Sequence, residues 1–150
     1  MRSTTQFSVF LINKPGILAQ LIGAIADSKI NLVALTISDA QEHGVLRLVG
    51  SDHDRLRQVL RKLNLPMHES EVLVVDLPNR PGALATVVGD LANGHVNIEY
   101  AYVTAGTPRG RTIGILKVDN LIKAQKALTT RPPRKPKRTT VRSRTGRRTG

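Results

Sequence analysis

The stretch Asn13-Lys14-Pro15-Gly16-Ile17-Leu18-Ala19 returns as Asn79-Arg80-Pro81-Gly82-Ala83-Leu84-Ala85, an offset of 66 residues. The same offset pairs Gly23 with Gly89, Ala26 with Ala92 and Asn31 with Asn97. Each copy follows an apolar run and opens an amphipathic helical pattern, so each reads as a strand-to-helix turn. A repeat at a fixed period constrains the fold more than any other feature of a chain, because each copy must be one supersecondary unit. A chain of 150 residues then holds two units of 66 residues or fewer. Units that small bury only about 60% of their unfolded surface, so the two are expected to share an interface.

The first unit reads as strand, helix, strand, strand, helix, strand. Phe7 to Ile12 is β-branched and aromatic and predicts a buried strand. Pro15-Gly16 ends it, since proline suits the first turn of a helix. Leu18, Leu21, Ile22 and Ile25 form one apolar stripe at helical spacing. Gly23 lies inside that helix, and its return at Gly89 predicts close packing of helix on sheet. Lys29-Ile30-Asn31 leads to a strand over Leu32 to Ser38, a polar hairpin over 39–44, and a strand over Val45 to Val49 that carries Arg47. Ser51 and Asp52 are helix-capping types. Leu56, Val59, Leu60 and Leu63 make the second stripe, Pro66 stops it, and Met67 to Ser70 is a short fourth strand. This is a split β-α-β, ferredoxin-like order.

The second unit repeats it. Strands are predicted over Val72 to Leu77, Asn97 to Thr104 and Thr112 to Val118, where Lys117 matches Arg47 after four inserted residues. Helices carry Leu84, Val87, Val88 and Leu91, with a C-cap signal at Asn93-Gly94, and then run from Asp119-Asn120 to about Leu128. The fourth strand fails: the chain reads Pro132-Pro133-Arg134-Lys135-Pro136-Lys137-Arg138, and prolines with like charges do not make a sheet strand. The second unit is then either completed by another element or left with an open edge. The predicted organisation is a first domain over 5–70, a second over 71–130 with its last strand missing or atypical, and a disordered basic tail over 131–150.

These residues resemble the ACT domain family. The likeness is carried by Phe7 to Asn31, with Asn-Lys-Pro-Gly-Ile-Leu and then Ile30-Asn31-Leu32, and by Leu73 to Tyr100, with Asn-Arg-Pro-Gly-Ala-Leu and then Val96-Asn97-Ile98. It covers roughly residues 6–128. The whole is most similar to small stand-alone proteins of two tandem ACT domains, and the first unit also resembles the ACT domain of acetolactate synthase regulatory subunits. The resemblance implies an α+β fold of two ferredoxin-like βαββαβ units, with antiparallel sheets joined side by side and helices on one face. It implies a non-catalytic regulatory module that binds a small ligand, an amino acid above all, at the interface between paired domains. The first site would use Asn13, Lys14, Pro15, Gly16, Ile17 and Leu18, with Asn31. The second would use Asn79, Arg80, Pro81, Gly82, Ala83 and Leu84, with Asn97. Implied partners are the small-molecule ligand, a second copy of the chain as a homodimer, and a biosynthetic enzyme such as acetolactate synthase. Many members carry Asp where this chain has Asn13 and Asn79.

The residue types suit such a ligand. A helix N-terminus exposes unpaired N–H groups and about half a positive charge. Gly16 and Gly82 permit close approach to the backbone, and Lys14 and Arg80 add positive charge. Asn13 and Asn79 offer an amide that both accepts and donates. The plain alternative is that Pro-Gly is architecture, a compact turn and nothing more.

Other chemistries are weakly supplied. The chain has no cysteine, which excludes disulfides and thiolate catalysis. His43, His53, His68 and His95 are scattered, so no metal and no cofactor is expected. Gly106 to Gly110 lacks the Gly-Lys-Ser/Thr ending of a phosphate loop. No carboxylate pair or activated nucleophile stands out, and an enzyme is not expected. No apolar run approaches the ~20 residues of a membrane span, and no signal peptide is recognisable. The reading is a cytoplasmic protein that does not enter a membrane. Glu99-Tyr100-Ala101-Tyr102 places two tyrosines either at an interface or in partial burial within one unit. The net charge of +12 is mostly a property of the tail: residues 131–150 hold nine Lys and Arg and no acid. The tail is the basis for a second reading, contact with nucleic acid or another polyanion. It lacks the aromatics that stack on single strands.

Overall fold

The computed structural model describes residues 1–12, 14–38, 43–104 and 110–130. Asn13, the hairpin loop 39–42, loop 105–109 and the whole of the basic tail lie outside the described residues. Ten elements follow in order: β1 (Arg2–Ile12), α1 (Ile17–Asp27), β2 (Leu32–Ser38), β3 (His43–Gly50), α2 (His53–Lys62), β4 (Met67–Pro78), α3 (Ala83–Asn93), β5 (Ile98–Val103), β6 (Arg111–Val118) and α4 (Leu121–Thr129). The six strands form one antiparallel sheet in the order β2-β3-β1-β4-β6-β5. Two ferredoxin-like units joined side by side are therefore present. Eight strands are not needed, because β1 and β4 each serve twice.

This sharing answers the question of the absent strand. Met67–Ser70 and Val72–Leu77, expected as two strands, are one continuous β4. Its first part pairs with Gln6–Val9 of β1 and completes the first unit. Its second part pairs with β6 on one side, Leu73 opposite Leu116, and with Arg2–Thr4 on the other. The start of the chain thus lies along the outer edge of Val72–Val74 and supplies the second unit with a strand. Thr5 and Glu71 stand directly opposite each other, and they are also related by the repeat offset. A local two-fold axis therefore passes through this pair, and each unit lends the other a strand.

Alternation then fixes the two faces of the sheet. Phe7, Val9 and Leu11 of β1 point with Leu46 and Leu48 toward Leu21 and Ile25 of α1 and Leu56 and Leu60 of α2. Leu73, Val75 and Leu77 of β4 point with Leu116 and Val118 toward Val87 and Leu91 of α3 and Ala124 of α4. All four helices cover this one face. The helices begin in two ways. Asp52 accepts the Arg55 N–H at 3.0 Å and Asn120 accepts the Lys123 N–H at 2.9 Å, so α2 and α4 are side-chain capped. Helices α1 and α3 start from Gly16 and Gly82 with no side-chain cap.

The other face carries no helix, yet part of it is also buried. Val49, Val72, Val74 and Ile115 are buried there, with Ala34, and Tyr102 packs against them. Gln6 of β1 is fully buried and donates through Nε2 to the Tyr100 hydroxyl at 2.6 Å. The Tyr102 hydroxyl donates to Gln6 Oε1 at 2.9 Å. Two strands lie between β1 and β5, so a flat sheet would hold them about 14 Å apart. These short bonds therefore require the sheet to curl, concave on the helix-free side. The tyrosines are placed at the contact between the two units.

One expectation about glycine is corrected. Among the described residues a Cβ at Gly23 or Gly89 would meet nothing within 4 Å, so neither marks close helix–sheet packing. Gly94 is the C-cap of α3 as expected, with φ of −79°, and His95 after it takes φ of 53°. Gly94 also answers to space: its Cβ would stand 2.7 Å from Ala127 Cβ, where α4 crosses.

Candidate functional site

The two Pro-Gly turns are built alike. The Lys14 N–H donates to the Ile12 carbonyl at 2.9 Å and the Arg80 N–H to the Pro78 carbonyl at 2.8 Å, each a tight reversal. Gly16 and Gly82 then take φ of 87° and 84°, a region costly for any side chain. Among the described residues no atom lies within 4 Å of a Cβ built at either position, so conformation rather than space demands glycine.

Each turn aims a helix N-terminus at solvent. Ile17 and Ala83 donate weakly, at 3.4 and 3.3 Å, to the carbonyls of Lys14 and Arg80. Gln20 and Thr86 donate to Gly16 and Gly82 at 2.9 and 3.0 Å. The N–H groups of Leu18 and Ala19, and of Leu84 and Ala85, have no acceptor among the described residues. Neither helix carries an acid in its first turn. Lys14, Pro15 and Gly16 are exposed, as are Asn79, Arg80, Pro81 and Gly82. Ile17, Leu18 and Ala83 are half-buried, and Leu84 is 40% exposed. Neither Lys14 nor Arg80 has an acid within 4.0 Å among the described residues. The arrangement is unpaired donors, a positive helix end and a free cation, which together favour a carboxylate or other small anion. The Asn79 N–H donates to the Gly110 carbonyl at 3.2 Å and anchors the second turn to β6.

Asn31 and Asn97 stand elsewhere. Asn31 donates its N–H to Ser51 Oγ at 3.2 Å and accepts from the Ser51 N–H at 2.8 Å. Asn97 donates to Asp119 Oδ1 at 3.1 Å and accepts from the Asp119 N–H at 3.1 Å. Within each unit the asparagine lies at the far end of an 11-residue helix from its turn, a separation of about 16 Å. The structure does not bring the two together inside a unit. The antiparallel pairing of β1 with β4 does set the first turn at the same end of the sheet as Asn97, and the second turn at the same end as Asn31.

Sequence reasoning did not find the Gln6–Tyr100–Tyr102 network or its extension to Arg47. The Arg47 guanidinium carbon lies 4.2 Å from the centre of the Tyr100 ring, and Nη1 donates to Ser38 Oγ at 2.8 Å. Burial pushes the Tyr102 phenol above its ordinary range, reinforced by Tyr100 and opposed by Arg47. The available signal was the alternation of Tyr100 and Tyr102 on one strand face, which only a curled sheet turns into contact with Gln6. Beside the first core, half-buried Arg57 bonds both Asp54 and Glu69 at 2.6 Å, and these hold its charge more firmly. Among the described residues no group of three His, Asp or Glu is placed to hold a metal, and no helix is long and apolar enough to cross a membrane.

Comparison with known proteins matches this architecture. A family model described as an ACT domain pair matches residues 2–131. A crystal structure of a protein from Bacteroides thetaiotaomicron is 33% identical, covers 85% of this chain and 87% of that one, and superposes with a TM-score of 0.78. The ligand-free regulatory subunit of aspartate kinase from Thermus thermophilus is 16% identical, with 86% and 96% of the two chains covered and a TM-score of 0.61. The corresponding subunit from Thermus flavus is 18% identical, with 85% and 94% covered and a TM-score of 0.54. These last two share the fold. No curated protein sequence matches the chain. With its turn and helix repeated in register and one family model running across both halves, this chain belongs to the ACT domain pair family.

Proposed function

We propose that the chain is a non-catalytic regulatory module that binds an amino acid at its Pro-Gly turns, between its two units. ACT domain pairs are regulatory modules. The observation that carries the reading is the pair of uncapped helix N-termini, each with two free N–H groups and an unpaired Lys14 or Arg80 beside it. The carboxylate of the ligand is held there, and its side chain rests on half-buried Leu18 or on Leu84. Because each turn shares an end of the sheet with the other unit's asparagine, a ligand bound there senses how the units sit on each other. Ligand bound more tightly in one arrangement shifts the population toward it. The output is an effect on a biosynthetic enzyme; the aspartate kinase chains of the same fold are regulatory subunits.

A thermal-shift screen of the twenty amino acids at millimolar concentration tests this. Ligand at 100 times its dissociation constant adds about 2.7 kcal/mol, which is readily seen. Lys14→Glu and Arg80→Glu alter exposed side chains and are expected to abolish the shift without lowering the unliganded melting temperature. Folded protein that responds to none of the twenty defeats the proposal.

A further inference from the structure

The helix-free face contains an open cleft of about 340 Å³ where the two units meet. Ser8 and Phe10 of β1, Arg47 of β3, and Tyr100 and Lys117 of the second unit line it. We infer that this cleft is a second ligand site, separate from the Pro-Gly turns, and that it takes a small organic carboxylate with an apolar body.

Three observations converge. The first is charge. Arg47 and Lys117 occupy matching positions in the two repeats, each on a strand that is otherwise apolar. Both are half-buried, and neither has an acid within 4.0 Å among the described residues. Partly desolvated cations without an anion are costly, and one anion in the cleft satisfies both. Glu99 at the rim is exposed, so the two cations outweigh it.

The second is the incomplete bonding of Arg47. Ser38 takes one of its donors and the Tyr100 ring stacks on its plane, while Nε is buried with no hydrogen-bond partner among the described residues. Among the described residues the guanidinium is held in place and is not neutralised. Stacking on Tyr100 also fixes its direction, and a pre-oriented fork suits a carboxylate. Tyr100 is itself bonded to Gln6 and sits opposite Lys117 in the sheet, so both cations belong to one rigid framework.

The third is the apolar wall. Phe10 is 45% exposed, and Val45 and the Tyr100 ring lie along the same cleft. A bare inorganic ion leaves that surface wet, whereas an organic acid covers it.

The test uses the full chain and two-dimensional amide NMR with three probes: 4-methyl-2-oxopentanoate, inorganic phosphate, and the neutral 4-methylpentanamide. The 2-oxo acid lacks an ammonium group, so it is distinct from an amino acid at the turns. It is expected to shift the signals of Ser8, Arg47, Tyr100 and Lys117 and to leave those of Leu18 and Leu84 in place. Lys117→Gln is expected to weaken it at least tenfold with an unchanged melting temperature, and Lys14→Glu to leave it unaltered. Equal shifts from phosphate or from the neutral amide overturn the assignment. So does a Lys117→Gln variant that binds as well as the parent, or a 2-oxo acid that moves no cleft signal at 20-fold the protein concentration in millimolar solution.

Discussion

The two halves of the molecule share a turn, a helix start and a core, but they close their sheets differently. The first unit takes its fourth strand from the residues that follow its second helix, Met67–Ser70. The second takes Arg2–Thr4 from the opposite end of the chain. They differ also on the helix-free face. The position of Gln6 is held by Val72 in the second unit, and that of Tyr102 by Thr36 in the first. Polar groups are therefore buried in complementary places, and the three that matter bond one another across the units. The lesson is that the repeat is symmetric in backbone and asymmetric in the side chains that join its halves.

Removing residues 1–5 attacks the asymmetry most directly. It strips the outer partner from residues 71–74 of β4 and leaves the fully buried Val72 and Val74 beside an open edge. At a net of about 1 kcal/mol per hydrogen bond, several lost ladder bonds and lost packing consume much of a stability of about 5–15 kcal/mol. Chemical denaturation followed by circular dichroism is expected to show that loss; a midpoint within error of the full chain contradicts the strand exchange.

Gln6→Val gives the first unit the second unit's apolar outline and leaves both tyrosine hydroxyls without their partner. Each unsatisfied buried group costs about 1–3 kcal/mol, so a loss of about 2–6 kcal/mol is expected in the same assay. Gly94→Ser instead gives the second unit the residue of the first, Ser28. Its side chain meets Ala127 at 2.7 Å from the Cβ, and overpacking of that kind costs about 1–3 kcal/mol. Ser28→Gly is expected to cost less than its counterpart.

Titration separates the halves more gently. With the Tyr102 phenol held above its ordinary range by burial, the folded chain keeps a proton that the unfolded chain gives up near pH 10. Its contribution is complete below that pH and is lost as pH rises further. The melting temperature is expected to fall on the alkaline side, and less steeply in Tyr102→Phe after allowance for the lost bond. The smallest effect is one the halves share. Gly23→Ala and Gly89→Ala each fill open space on a helix, so each is expected to stabilise by about 0.5–1 kcal/mol. A large difference between the two refutes the equivalence of the helices.

Much of this was legible in the sequence because it is local. The strand-to-helix turns, the helix stripes and the caps at Asp52 and Asn120 depend on residues within a few positions of each other. What the sequence concealed is long-range. The strand predicted to be missing was already present as Arg2–Thr4, polar residues with no β signal of their own, and only the pairing with β4 makes them a strand. Gly23 and Gly89 recur in register without any packing constraint, so recurrence alone misled. Gly94 is the cap that the sequence signals, and its contact with Ala127 of α4 is the part that no local pattern shows. At the candidate site, the free N–H groups and the cations follow from the Pro-Gly turn itself. The distance between each turn and its own asparagine does not, because it depends on which end of the sheet each loop reaches.

The exchange of strands about Thr5 and Glu71 has a consequence for assembly. A single copy of the repeat would have one long strand with half its outer edge unpaired, and two copies would close only by swapping those halves, in a concentration-dependent association. Joining the copies in one chain converts that encounter into an intramolecular step, with an effective concentration in the millimolar range set by the connection. Completing both sheets of this protein then needs no second chain, whereas separately expressed halves find their shape only by finding each other.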